Sequence, residues 1–192
     1  MKRLFTILLF FNASLALAQK ADSVAAKTVK TKNVDGTVMS SSKDLIGNLS
    51  ASPQFTTLIR VINAAGLAES LKAGTMTFFA PTNQAFEKLP PGVLDTLLLP
   101  AHKTDLINLI NYHAVQGKIN SKDIERQIKA GNGQATFITL AGGILTARIN
   151  ENRNVVLTDA NGGQSIITRL DIEQSNGMLF IVNAVLQPKA KQ

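Results

Sequence analysis

The segment Thr77-Phe78-Phe79-Ala80-Pro81-Thr82-Asn83-Gln84-Ala85-Phe86 decides the fold. Met76 to Phe79 is short, apolar and aromatic, the composition of a buried strand. Pro81 has no amide hydrogen and cannot extend an interior ladder, so the strand is expected to end there. Thr82 or Asn83 then offers a side-chain oxygen to the free amides of a new helical turn. Ala85 and Phe86 turn that helix back into the core, and Leu89 suits the same face.

Thr77, Phe78, Ala80, Pro81, Thr82, Asn83, Ala85 and Phe86 together resemble the first signature block of the fasciclin-type domain. Leu109-Ile110-Asn111-Tyr112-His113-Ala114-Val115-Gln116-Gly117 resembles that family's tyrosine–histidine segment. A third block runs from Asp171 through Asn176-Gly177 and the apolar Met178–Val182 run to Pro188. The similarity covers about Ser42 to Pro188. It implies an α+β domain, a compact β-wedge or sandwich of about seven strands with helices packed in the N-terminal half. It also implies a role in adhesion or in matrix and surface association, with the motif residues mostly structural. Many relatives carry histidine where Phe180 stands and aspartate where Asn183 stands, so this chain departs from the pattern on its last strand.

The rest of the chain reads consistently with that class. Ser52-Pro53 opens a helix whose Phe55, Leu58, Ile59 and Ile62 form one apolar face, and Gly66 can end it. Leu67 and Leu71 begin a second short turn. Pro90-Pro91-Gly92 breaks the chain before the helical stretch Val93–Leu99. Thr104 is the expected cap of the next helix, with Leu106, Ile107 and Ile110 inward, and Tyr112–Val115 is read as a strand. Ser121–Lys129 is a short polar helix. Runs at Gln134–Leu140, Ile144–Asn150, Val155–Thr158, Gln164–Ile172 and Met178–Val182 alternate with Gly/Asn turns and read as strands.

Lys2 and Arg3 precede an apolar run from Leu4 to Leu17, and Ala16-Leu17-Ala18 supplies a small-x-small cleavage pattern. The expectation is a signal peptide over residues 1–18, cleaved before Gln19, and a secreted or periplasmic protein. The run is shorter than the ~20 apolar residues of a spanning helix, so no transmembrane anchor is expected. Losing Lys2 and Arg3 lowers the net charge from +7 by two, to +5. Residues 19–41, rich in Ala, Lys, Thr, Ser and Val, read as a flexible linker, 42–188 as the domain and 189–192 as a tail. The chain has no cysteine, so packing alone must hold it after export.

The residues point to binding rather than chemistry. Only His102 and His113 are present, without cysteine, and no zinc spacing or dense acidic loop appears. No nucleophile elbow or phosphate loop is found, so neither cofactor nor metal nor catalytic set is expected. The basic balance lacks the aromatic interleaving of a nucleic-acid surface. His113 reads either as a ligand contact or as a hydrogen-bonded histidine fixing a helix-to-strand corner; the second is preferred. Tyr112, His113 and Asp171 are the candidate contacts to a protein or glycan partner. The alternative function is a carrier of a small apolar ligand in the cell envelope. Asn48-Leu49-Ser50 matches a glycosylation acceptor.

Overall fold

A computed structural model describes residues 28–189. The leader expected at 1–18, the first part of the 19–41 segment and residues 190–192 of the tail lie outside the described residues. The elements run β1 (Thr31–Val34), β2 (Thr37–Ser40), α1 (Leu45–Ser50), α2 (Thr56–Ala65), α3 (Ala68–Ala73), β3 (Met76–Pro81) and α4 (Asn83–Glu87). They continue with α5 (Val93–Leu97), α6 (Lys103–Tyr112), β4 (Ala114–Gln116) and α7 (Ser121–Ala130). The last five are β5 (Ala135–Ile138), β6 (Ile144–Ile149), β7 (Val155–Thr158), β8 (Gln164–Gln174) and β9 (Gly177–Val182).

Seven strands form one sheet in the order β4-β3-β9-β8-β7-β6-β5. Only β3 and β9 pair in parallel. β8 is long enough to serve two neighbours, and register shifts between Ile167 and Ile172 bend it from one to the other. The sheet curls until its ends meet. Val115 of β4 bridges to Thr139 just past β5, and the Leu140 amide donates to the Ala114 carbonyl at 2.8 Å. The result is a nearly closed barrel with the helices of the first half packed on one side.

Strand alternation divides the apolar residues between two cores. Phe78 and Ala80 of β3 and Leu179 and Ile181 of β9 face the helices, where they meet Leu58, Ile62, Leu106 and Ile110. Phe79 of β3 and Met178, Phe180 and Val182 of β9 face the barrel interior, with Leu145, Leu157 and the α7 residues Ile124 and Ile128. Every residue of β3 and β9 is therefore buried. This double covering explains why both strands are almost wholly apolar, with Thr77 the one polar side chain and its hydroxyl hydrogen-bonded internally, since a half-exposed strand would alternate with polar residues. Phe79 and Phe180 are register partners and stack with centroids 5.6 Å apart.

Three local expectations are corrected. The 19–41 segment, read from composition as a linker, holds the β1–β2 hairpin in its second half. Its turn, Asp35-Gly36, has positive φ at both residues, 45° and 90°, the geometry that matches hairpin twist. Val34 and Met39 anchor it in the helix-side core at 0% and 1% exposure. Thr104 is not a cap: a 3-10 turn, Pro100–His102, leads directly into α6, which has no side-chain cap bond. Tyr112 ends α6 rather than starting a strand, and His113 is the helix's C-cap. Gly66 ends α2 as expected, in the left-handed region with φ 75°.

Candidate functional site

Thr82 caps α4, accepting from the Ala85 amide at 3.3 Å. Asn83 does different work. Its Oδ1 accepts from the Thr57 amide at 3.0 Å, and its Nδ2 donates to the Pro53 carbonyl at 2.9 Å and to Thr56 Oγ1 at 3.0 Å. It thereby ties α4 to the start of α2. Thr77 is fully buried; its hydroxyl donates to the Gly117 carbonyl at 2.7 Å and accepts from the Ile119 amide at 2.8 Å. Asn176 accepts from the Leu45 amide at 3.0 Å and donates to the Leu71 carbonyl at 2.7 Å, joining α1 and α3 to the turn before β9. A Cβ on Gly177 would stand 1.8 Å from the Met76 carbonyl oxygen, so only glycine lets β9 lie beside β3 there.

Tyr112 and His113 lie at the junction of the barrel and the C-terminal segment. Tyr112 OH donates to the Ile144 carbonyl at 2.5 Å and accepts from the Ala160 amide at 2.9 Å. Burial pushes its pKa up. The ring fits because Gly143 has no side chain: a Cβ there would meet Tyr112 Cε2 at 2.6 Å. His113 contacts the Leu109 carbonyl through Nδ1 at 2.8 Å and the Leu186 amide through Nε2 at 3.0 Å. A carbonyl can only accept and an amide can only donate. The ring is therefore neutral, with its proton on Nδ1. Desolvation holds its pKa down at about 4, against the opposing pull of the Leu109 carbonyl.

Asp159 completes this junction, and sequence reasoning missed its role. Its Oδ1 accepts from the Asn161 and Gly163 amides at 2.9 and 2.8 Å, and its Oδ2 from the Gln187 amide at 2.9 Å. Ser165 Oγ accepts from the Ala184 amide at 3.0 Å. The C-terminal segment beyond β9 thus has the amides of Ala184, Leu186 and Gln187 held by side chains of β8, the α6 C-cap and the β7–β8 turn. The Asp159-Ala160-Asn161-Gly162-Gly163 pattern was the available signal, because an aspartate before a glycine turn commonly accepts from its own turn amides.

These arrangements bring together much of what the sequence singled out, but inside the molecule. Tyr112 is 0% and His113 1% exposed, so neither presents a surface to a partner in this fold. Asp171 sits at the β8 irregularity with φ 53°, and its carboxylate accepts from the Ser121 amide at 2.7 Å and from the Ser121 hydroxyl. It is half-buried and secures the first turn of α7. Asn48 is fully buried, with its amide group bound to Ser40 and Gln174, so the glycosylation pattern is closed in the folded protein. His102 pairs with Asp105 at 2.9 Å on the surface. Among the described residues no group of three or more His, Cys, Asp or Glu could hold a metal ion. None of their helices is long and apolar enough to cross a membrane.

Two outward features remain. The β5–β6 hairpin exposes aliphatic side chains: Ile138 is 71%, Ile144 57% and Leu140 44% exposed. Ile138 and Ile144 are direct register partners, so they form one apolar ridge beside the turn. The second is a groove of about 340 Å³ between α5, α6 and the C-terminal segment.

A curled seven-stranded sheet, a lateral layer of helices and a buried Tyr–His junction define a fasciclin-type domain. The fasciclin domain family model matches residues 53–188, and the chain belongs to that family. It is 30% identical over 183 residues to protein sll1483 of Synechocystis, covering 93% of this chain and 94% of that protein. It is 28% identical to the transforming growth factor-beta-induced protein ig-h3 of Oryctolagus cuniculus, over 72% of this chain but only 18% of that longer protein. The FAS1 domain pair of the insect cell adhesion molecule fasciclin I superposes with a TM-score of 0.65 at 14% identity, covering 85% of this chain and 66% of that one. At that identity the likeness speaks for the fold alone.

Proposed function

We propose that this protein is a secreted or periplasmic binding module that attaches to protein at a cell surface or matrix. The observation that carries this reading is the exposed Ile138–Ile144 ridge. Apolar side chains displayed on a rigid hairpin gain free energy when a partner removes them from water, and a protein surface offers matching apolar groups where a glycan offers mainly hydroxyls. The buried state of Tyr112, His113 and Thr77 supports binding over catalysis, because these polar groups are committed to internal hydrogen bonds. Membership of the fasciclin domain family supports the same class of role. Export with cleavage before Gln19 belongs to this reading, and N-terminal sequencing of protein recovered from the envelope or medium should begin at Gln19.

The experiment is attachment of protein-coated beads to cells and matrix proteins. Saturable attachment that falls in an Ile138→Ser, Ile144→Ser double variant of unchanged thermal stability is the expected result. Attachment that is absent, or identical in the double variant, refutes the role given to the ridge.

A further inference from the structure

We propose that the groove between α5, α6 and the C-terminal segment binds a single-chain aliphatic carboxylate of about ten carbons. Leu109 and Val185, 4% and 8% exposed, form its floor. Leu89, Val93 and Leu97 line it from one side at every fourth position, each half-buried and unfinished as a packing surface. Its volume of about 340 Å³ equals roughly eleven water-sized groups at about 30 Å³ each. That suits one alkyl chain.

The charges at the rim select the head group. Asp105 and Lys189 are the ionisable residues lining the groove. Asp105 Oδ2 is already engaged by His102 Nδ1 at 2.9 Å. Lys189 is exposed and, among the described residues, makes no ion pair. Asp105 keeps its negative charge in that bond, so Lys189 is the rim charge without an ion-pair partner among the described residues, and it complements an anion. A sugar would set its hydroxyls against leucine and valine and leave them unpaired. A chain with a carboxylate at one end satisfies both the apolar walls and the cation. The wall that carries Val185 is fixed by His113 and Asp159, whose bonds to the Leu186 and Gln187 amides hold it in place before any ligand arrives. A preformed groove spares a ligand the cost of ordering it.

The site lies on different elements from the β5–β6 ridge, so it does not depend on the attachment role, and bead attachment and ligand binding fail separately. The test is calorimetric titration of the purified protein with sodium hexanoate, octanoate and decanoate below their micellar concentrations, with decyltrimethylammonium as the opposite-charge control. Decanoate should bind one-to-one and about tenfold or more tighter than hexanoate, as added methylenes leave water. Lys189→Gln should weaken decanoate by about three- to fivefold and remove its advantage over the ammonium compound. Val93→Gln, at a half-buried position, should weaken all three carboxylates without lowering the melting temperature. No saturable heat with decanoate, equal affinity for hexanoate and decanoate, or undiminished binding in Lys189→Gln would each overturn the proposal.

Discussion

His113 Nε2 accepts the Leu186 amide at 3.0 Å, joining the end of α6 to the C-terminal segment across 73 positions of sequence. Protonation would place a hydrogen on the nitrogen that must accept, so the bond exists only with the neutral ring.

This makes stability depend on pH with a definite sign. The folded pKa of about 4 lies below the ordinary histidine value of 6.5, so between those values the unfolded chain binds more protons. The contribution is complete above pH 6.5 and is lost as pH falls toward 4, to a total of about 3 kcal/mol. Urea unfolding from pH 7 to 4 should show this loss, and His113→Ala should be less stable at pH 7 yet flatter across the range. An equally steep profile in the variant would show that another group titrates.

Gly177→Ala and Gly162→Ala compare a steric clash added to a positive φ, 153° at Gly177, with a positive φ alone. At Gly177 the new methyl meets the Met76 carbonyl at 1.8 Å, whereas at Gly162 nothing lies within 4 Å but φ is 83°. The first should cost more than ~3 kcal/mol and the second about 1 kcal/mol. Thermal unfolding followed by circular dichroism gives both.

Phe180 is where the family resemblance leads one to expect histidine, yet here it stacks on Phe79 in the barrel core, fully buried. Phe180→Ala should cost about 3–5 kcal/mol through lost apolar burial and the cavity left beside Phe79. A loss below ~1 kcal/mol in denaturant titration would mean that the core closes over the space.

The β1–β2 hairpin is strapped to β8 by charge as well as by Val34 and Met39. Glu173 pairs with Lys30 at 2.8 Å and with Lys118, and Asp35 pairs with Arg169 at 2.6 Å. Lys118 first, then Lys30, hold the Glu173 carboxyl down at about 2. Its stabilisation is present above the ordinary carboxylate range and is lost as pH falls toward 2. Because Lys30 is largely exposed, Glu173→Gln should cost no more than about 1 kcal/mol, and less in high salt. Hydrogen exchange should rise in β1 and β2 ahead of the barrel strands.

Asp171→Ala should remove the anchor of the first α7 turn. A loss of about 1–2 kcal/mol is expected, with faster amide exchange at Ser121 and little change in β9. Unchanged exchange at Ser121 would show that Asn120, which caps the same helix, suffices alone.

The elements most legible in sequence were those dictated by local chemistry. Pro81 stops β3, the Ser52-Pro53 pair opens a helical turn, Gly66 ends α2, and glycine and asparagine separate the later strands. The hairpin at 31–40 was legible too, in Asp35-Gly36, but its polar composition masked it. Burial of its two anchors depends on a core supplied by distant residues. His113 sits at the helix-to-strand corner preferred for it, although the helix includes Tyr112, where a strand was expected to start.

Short-range rules set where strands and helices begin and end, and the three signature blocks set the family, because capping, φ restriction and apolar periodicity act within a few residues. Which face of β3 meets helices and which meets the barrel, the protonation of His113, and the groove under Val185 arise only from three-dimensional packing. Each requires groups far apart along the chain to be brought into contact, and the hydrogen bond between His113 and Leu186 has no local signal in either segment.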